Sequence, residues 1–164
     1  MSNQKAARKD GGAPVAENRK AWHDYTIEET IEAGIVLVGS EIKSVRAGRV
    51  NLRESYVRVE RDEAWLLNAH ISVWPQAGTH FNHEPTRPRK LLLHRGEIDY
   101  LRGKVEQKGL TLVPLKLYFV KGRAKLELAV ARGKKLYDKR DAMAERDSRR
   151  EVEREVRERS KIAY

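Results

Sequence analysis

The sequence contains no cysteine, so it has no disulfide framework and no metal site built on thiolates. It has no apolar run approaching the ~20 residues that a membrane-spanning helix needs, and residues 1–20 lack the hydrophobic core of a signal peptide. The nucleophile elbow, the phosphate-binding loop and the HExxH zinc motif are also missing. These absences predict a cytosolic protein and give no support to a familiar class of enzyme.

Positive charge is what the sequence has in excess. Its 164 residues include 34 Lys and Arg against 24 Asp and Glu, which gives a formal net charge of +10. Residues 132–164 hold 12 basic and 8 acidic side chains, a net of +4, and leave +6 on residues 1–131. Such an excess attracts polyanions, either nucleic acid or an acidic membrane surface. Nucleic acid is the leading partner, and charge alone does not choose between RNA and DNA.

The chain divides into three predicted segments. Residues 1–17 are polar and contain Gly-Gly and Pro, which predicts a flexible arm. Residues 18–133 carry the patterns of one folded domain, and residues 134–164 form a basic tail. The tail has Glu and Arg at i,i+4 spacing but few apolar residues, so we expect it to be disordered when free and helical when a partner supplies contacts.

The middle segment predicts a mainly β domain with two to three helices. About six strand-like stretches lie at 22–37, 55–60, 64–71, 90–93, 110–120 and 125–131, and helical patterns lie near residues 40–48 and 97–105. Gly34 interrupts one strand and predicts a bulge or a sharp bend there. Pro114 interrupts another strand and predicts an edge strand or a bulge. This order favours a small closed antiparallel OB-like barrel, with a β-sandwich as the alternative.

Two histidines and a glutamate resemble a metal cluster. His80, His83 and Glu84 are potential zinc ligands, but no predicted helix brings them to one face. A solvated loop is the favoured interpretation, and a metal-dependent hydrolase using these residues is the competing hypothesis. No metal and no cofactor are predicted.

Basic residues near aromatic side chains point to RNA or DNA binding. Cations close to aromatic rings suit phosphate contacts combined with base stacking. The basic clusters are Lys43 with Arg46, then Arg87, Arg89 and Lys90, and finally Lys134, Lys135, Lys139 and Arg140, and the nearby aromatics are Trp22, Tyr25, Tyr56 and Tyr137.

Many short segments match one known family in a single order. They are Asn18–Ala21, Glu32–Leu37, Glu41–Gly48, Asn51–Leu52, Ser55–Tyr56, Pro85–His94, Lys108–Leu115, Gly133–Lys135 and Tyr137–Arg140. With these segments the chain resembles the SmpB family of SsrA-binding proteins, the bacterial partners of transfer-messenger RNA (tmRNA). The resemblance implies an OB-like barrel with added helices and a protein without a catalytic step.

The resemblance also implies a function and partners. Members of the family bind the tRNA-like domain of tmRNA as a monomer and deliver it to stalled ribosomes, where they replace the missing anticodon arm. The implied partners are tmRNA, the small ribosomal subunit and, through the tmRNA complex, elongation factor Tu. A generic OB-like ribosome-associated RNA-binding protein is the alternative.

The resemblance assigns candidate residues to two RNA contacts. Glu32, Leu92 and His94 match the contact with the tmRNA elbow, Tyr25 is an aromatic residue of the same interface, and the predicted phosphate partners are Lys43, Ser44, Arg46, Arg87, Arg89 and Lys90. The tail residues implied at the decoding centre and in the mRNA channel are Lys134, Lys135, Tyr137, Asp138, Lys139, Arg140 and Ile162.

Overall fold

The computed structural model describes residues 12–107, 109–134 and 136–162, with side chains in the last range described for residues 143–160. The chain has two units, Met1–Arg132 and Gly133–Tyr164. The described elements are β1 (Ala16–Glu17), α1 (Arg19–Asp24), β2 (Tyr25–Ile35), α2 (Gly39–Arg46), β3 (Val50–Asn51), β4 (Tyr56–Glu60), β5 (Glu63–Leu67), β6 (His70–Ile71), a 3-10 turn (Pro75–Ala77), β7 (Arg89–Leu92), α3 (Arg95–Glu106), β8 (Leu110–Val120), β9 (Arg123–Gly133) and α4 (Leu136–Ile162).

Six strands of the first unit close into a ring. Their order is β8–β4–β5–β7–β2–β9, and β9 pairs back with β8. The short β1 adds to β8, and β3 pairs with β6 in a separate two-stranded sheet. The predicted mainly β fold with about six strands in a closed arrangement is confirmed, and the β-sandwich alternative is wrong.

Two-residue turns connect the hairpins of the ring. Lys121 and Gly122 join β8 to β9 with φ angles of 50° and 77°, and Arg61 and Asp62 join β4 to β5 with 47° and 65°. Left-handed residues at both turn positions match the twist of the flanking strands. Within β8, the register shifts between Pro114 and Lys116. Of the two alternatives predicted for Pro114, the bulge is confirmed. Its physical cause is that proline has no N–H to donate to the hydrogen bonds between the strands.

The interior of the ring is an aliphatic core. The core residues alternate with outward-facing residues along the strands. The helix α3 covers one end of the core, and its Leu101 belongs to the same cluster and has no exposed surface. A second cluster lies on the other face of β8 and β9, where Ala21 of α1 packs with Val113, Leu115, Ala129 and Ala131. The helix α1 therefore covers the outside of the ring beside the bulge.

Two local predictions are corrected by the structure. Residues 22–24 were expected to be extended but belong to α1, which begins after Asn18, whose Oδ1 accepts a hydrogen bond from the Ala21 N–H at 3.2 Å. The predicted arm, residues 1–17, contains β1 among its described residues, and Ala16 pairs there with Leu117. Gly34 lies opposite Leu92 in the pairing of β2 with β7, without a register shift between these two strands, and the bend predicted there as the alternative to a bulge stays a prediction.

The second unit contains a 27-residue helix, α4. All its described side chains are exposed, and of the Glu–Arg pairs suggested by the sequence, Glu145 and Arg149 form one at 3.8 Å. The tail was expected to be helical only with a partner, and the structure of the chain alone already has the helix. Among the described residues, no helix is long and apolar enough to cross a membrane.

Candidate nucleic-acid interface

The outer surface of β2 and β7 brings together two of the predicted elbow contacts. Ala33 and Ile35 are buried in the core. Because side chains alternate along a strand, Glu32 before them and Gly34 between them face outward. Leu92 lies opposite Gly34 and is 55% exposed. A Cβ atom on Gly34 would come within 3.1 Å of the Leu92 Cβ. Glycine is therefore the residue that lets Leu92 lie flat against β2 while remaining accessible.

The carboxylate of Glu32 is held by a tyrosine. Tyr118 of β8 donates its phenolic hydrogen to Glu32 Oε2, while Glu32 itself is exposed. Burial, as the larger cause, and this hydrogen bond, as the next, raise the pKa of the Tyr118 phenol above its ordinary value. The phenol therefore remains a donor at neutral pH and fixes one oxygen of Glu32, which leaves the other oxygen able to accept from a ligand.

Three further predicted residues differ in exposure. Lys90 lies outward on β7, where its Nζ is 3.2 Å from Glu63 Oε1 and 43% of its side chain is exposed. His94 is exposed just before α3, and its backbone N–H donates to Glu97 at 3.1 Å. Tyr25 instead packs against the apolar cluster under α1. Lys90 and His94 are accessible to a ligand, whereas the ring of Tyr25 is mainly a packing element.

The helix α2 presents two cations to solvent. Lys43 and Arg46 are exposed, and the Arg46 guanidinium lies 5.6 Å from the centroid of the Phe119 ring. Within the part of the chain that the structure describes, neither side chain forms an ion pair with a carboxylate. Both therefore retain a positive charge that is free to neutralise a phosphate.

Two predicted phosphate contacts, Arg89 and Ser44, are buried. Arg89 has no exposed surface and pairs with Glu41, while its other nitrogens donate to the carbonyls of Ala69 at 2.7 Å and Pro85 at 2.9 Å. Ser44 is also fully buried and donates to the Ser72 carbonyl at 2.6 Å. The donors of both side chains are therefore already used within the fold.

Arg87 belongs to the same buried network. It pairs with Glu41 from the other side, and 29% of its side chain remains exposed. Burial lowers the pKa of the Arg89 guanidinium, and the hydrogen bond and charge of Glu41 oppose that change. The two arginines thus fix α2 to β7 and to the loop before β7. In this way they hold the exposed cations of α2 in position.

The loop before β7 is held by side-chain hydrogen bonds. Asn82 accepts from the Trp74 N–H at 2.9 Å and donates to the Trp74 carbonyl at 2.8 Å. His83 is buried, with Nδ1 at 2.8 Å from Ser40 Oγ and Nε2 at 2.8 Å from the Ile71 carbonyl. The expectation of a wholly solvated loop is wrong for His83. Since both of its ring nitrogens have partners, His83 has no lone pair left for zinc.

A basic groove beside α1 was missed by the sequence analysis. Its volume is about 490 Å³, and it is lined by Glu17, Asn18, Arg19, Lys20, His23, Asn51 and Arg53. Three of these side chains are cationic, and Lys20 is 2.8 Å from Glu54. The groove joins α1 to β3, which are distant in sequence. The cluster Asn18-Arg19-Lys20 followed by His23 is the local signal that was available.

The predicted tail residues fall at the edge of what the structure describes. Lys134 is partly exposed and lies before α4. Lys135 lies outside the described residues, and the side chains of Tyr137, Asp138, Lys139, Arg140 and Ile162 lie outside them too, although their backbone belongs to α4. The helix offers exposed cations along its described length, including Arg146, Arg150, Arg154, Arg157 and Arg159.

These features define a class of protein. A closed ring of six strands that exposes cations and apolar side chains on its outer surface, followed by a charged helix, is typical of a small nucleic-acid-binding protein of the β class. The family model described as SmpB protein matches residues 15–158 of the chain. The chain belongs to the SmpB family.

Individual relatives agree with the family model. The SsrA-binding protein of Roseiflexus sp. (strain RS-1) is 63% identical over 147 residues, which cover 90% of this chain and 93% of that relative. The SsrA-binding protein of Chloroflexus aurantiacus (strain ATCC 29366 / DSM 635 / J-10-fl) is 66% identical over 143 residues, 87% of this chain and 89% of the relative.

A solved structure shares the fold. It is described as "tmRNA-SmpB: a journey to the center of the bacterial ribosome", and the matching chain is 56% identical with a TM-score of 0.64. The match covers 76% of this chain and 87% of that one.

Proposed function

We propose that the protein binds the tRNA-like domain of tmRNA and delivers it to stalled ribosomes in the bacterial cytoplasm. It acts as an RNA-binding adaptor without a catalytic step of its own. The observation that carries the proposal is the identity of 63% with an SsrA-binding protein over 90% of the chain. The chemistry of the exposed surface is consistent with RNA as the ligand.

The proposed tmRNA contact is the outer surface around Glu32, Leu92 and His94. A carboxylate accepts from base amino or ribose hydroxyl groups, and an exposed leucine packs against an unstacked base. Lys43, Arg46 and Lys90 supply the phosphate contacts, since they are at least partly accessible. Arg87, Arg89 and Ser44 act indirectly, because they hold α2 and β7 in place.

An adaptor needs a second surface for the ribosome. In the ring order, β7, which carries Lys90 and Leu92, is three strands away from β8. The basic groove flanks β1 and α1, which both contact β8. A second basic surface suits a monomer that contacts both tmRNA and the rRNA of the small subunit, with elongation factor Tu joining through the tmRNA complex.

The tail is the proposed probe of the decoding centre and the empty mRNA channel. Its exposed cations suit rRNA phosphates, and Tyr137 offers a ring for stacking on a base. In this proposal the tail contributes to accommodation on the ribosome and not to tmRNA affinity, so that the stalled ribosome is rescued and its nascent peptide is tagged.

Truncation tests this division of labour. A chain that ends at Gly133 should bind the tRNA-like domain of tmRNA with the affinity of the full-length protein, and it should not support peptide tagging on stalled ribosomes. Loss of tmRNA affinity in the truncated protein would contradict the assignment of the tail. The full-length protein purified in parallel is the matched control for both measurements.

Sequencing of the RNA that co-purifies with the protein tests the proposed partner. One dominant tmRNA species is the expected result. A generic ribosome-associated RNA-binding protein would instead remain on ribosomes in cells that lack tmRNA, whereas the proposed adaptor would require that RNA for its recruitment.

A further inference from the structure

A tryptophan lies between two cations on the outer surface of the ring. In the pairing of these strands, Arg58 of β4 is opposite Trp65 of β5, and Trp65 is opposite Lys90 of β7. Their neighbours Val57, Ala64 and Leu66 are buried in the core, so strand alternation directs this row outward. Three adjacent strands thus present one continuous cation–indole–cation row.

The row has unused binding capacity. Trp65 is partly exposed, and its indole N–H makes no hydrogen bond within the part of the chain that is described. Among the described side chains no buried nitrogen or oxygen lacks a partner, so this N–H is open to solvent. Arg58 is exposed and forms no ion pair with a described residue, while Lys90 is partly neutralised by Glu63 at 3.2 Å.

We propose that Arg58, Trp65 and Lys90 form a stacking platform for one unpaired base of the bound RNA. This proposal rests on the proposed function. It extends the tmRNA-contacting surface of the protein from β2 and β7 onto β5 and β4. Leu92 is two residues along β7 from Lys90 and faces the same side. The base-contacting surface is therefore continuous from Gly34 and Leu92 to Trp65.

The spacing of the row suits a single nucleotide. Neighbouring strands lie about 4.8 Å apart, so the backbones of Arg58 and Lys90 are separated by about 10 Å with the indole between them. A base that stacks on the indole then has a cation on each side for its flanking phosphates. The charge pattern favours RNA over a protein partner, because a protein would have to bury both cations against matching carboxylates.

Fluorescence of a single tryptophan tests the stacking. The other tryptophans, Trp22 and Trp74, are replaced by phenylalanine, and the protein is titrated with the transcribed tRNA-like domain of tmRNA. Trp65 emission should be quenched at the RNA concentration that saturates binding. An unchanged emission at saturation would overturn the platform.

Substitution of Trp65 measures its contribution to affinity. Trp65→Ala should weaken binding of the tRNA-like domain by about 5- to 150-fold, the range of one base–aromatic stack, and Trp65→Phe should recover most of that loss. Equal affinity of the wild-type and Trp65→Ala proteins would overturn the platform. Since Trp65→Ala also alters packing, the surface variants of Arg58 provide an independent measurement.

Arg58 has a matched control in the turn that follows its strand. Arg58→Glu should weaken binding and lower the salt dependence of the affinity, whereas Arg61→Glu, outside the row, should change both less. Equal effects of the two variants would overturn the assignment. Wild-type protein that fails to bind the tRNA-like domain would overturn the proposed function itself. Normal wild-type binding without any effect at Trp65 or Arg58 would overturn the platform alone.

Discussion

Arg89 and Glu41 form an ion pair from which solvent is excluded, with both side chains 0% exposed. Glu41 is in the first turn of α2, and Arg89 is the first residue of β7. The pair therefore joins the helix that carries Lys43 and Arg46 to the strand that carries Lys90 and Leu92. Arg87 adds a second guanidinium to the same carboxylate. The geometry of the exposed surface depends on this buried carboxylate.

Glu41→Gln should destabilise the fold strongly. The substitution leaves the Arg89 charge buried without a counter-charge, which lowers the free energy of unfolding by about 3–5 kcal/mol. Urea unfolding followed by circular dichroism measures the change. Glu63→Gln is the control, because its ion pair with Lys90 is 43% exposed on both sides and such pairs contribute at most about 1 kcal/mol. Similar losses in the two variants would contradict the structural role of the pair.

Tyr118→Phe should lower stability at neutral pH, and its difference from the wild type should shrink as pH rises above about 10. The raised pKa of the Tyr118 phenol means that its stabilising contribution is fully present below the unfolded tyrosine value of about 10 and is lost as pH rises through the folded value. The wild-type protein should lose stability above pH about 10, and the variant should lose less. Urea unfolding between neutral and alkaline pH measures this, with Tyr56→Phe as the control. An identical alkaline decline in Tyr118→Phe would contradict the assignment.

Arg46→Gln should reduce the salt dependence of RNA binding. One phosphate contact fewer lowers the slope of log affinity against log salt by about 0.9, because one counterion fewer is released. Binding of the tRNA-like domain of tmRNA is measured over a range of salt concentrations. The control is Arg61→Gln, an exposed arginine outside the proposed contact. An unchanged slope would remove Arg46 from the set of phosphate partners.

Val152→Pro should disrupt α4 without affecting tmRNA affinity. Val152 lies in the interior of the helix and is 60% exposed, and proline there costs about 3 kcal/mol of helix stability. Far-UV circular dichroism should show reduced helicity, and peptide tagging should fall. Val152→Ala is the control, since alanine is the strongest helix former. Full tagging by the proline variant would show that the helix is not needed.

Alternation and turn chemistry made much of the ring predictable. The hairpin of β4 and β5 follows from apolar positions at every second residue, and the turn at Lys121 and Gly122 follows from the glycine. Closure was predicted from strand count, while the order of strands around the ring depends on pairings between segments far apart. The absence of a side chain at Gly34 became meaningful only once Leu92 was known to lie opposite.

Exposure of the basic residues was harder to predict. Arg87, Arg89 and Lys90 read as one basic cluster, yet Arg89 is buried and Lys90 is not. A buried arginine needs a partner, and this one, Glu41, is 48 residues away. The groove beside α1 likewise joins distant segments. By contrast, Asn18 was a local cap signal that pattern reading overlooked.

The closure of the ring also decides when the body can fold. Its last strand, β9, begins at Arg123 and pairs with β2, which ends at Ile35, so 88 positions separate the nearest ends of the two strands (123 minus 35). Contacts between such distant segments form late, because loop closure costs entropy before the contact is made. A growing chain therefore cannot complete its core until the residues of β9 have left the exit tunnel. A product truncated before β9 would expose the open edges of β2 and β8, which makes it a substrate for proteases rather than a weakened version of the protein.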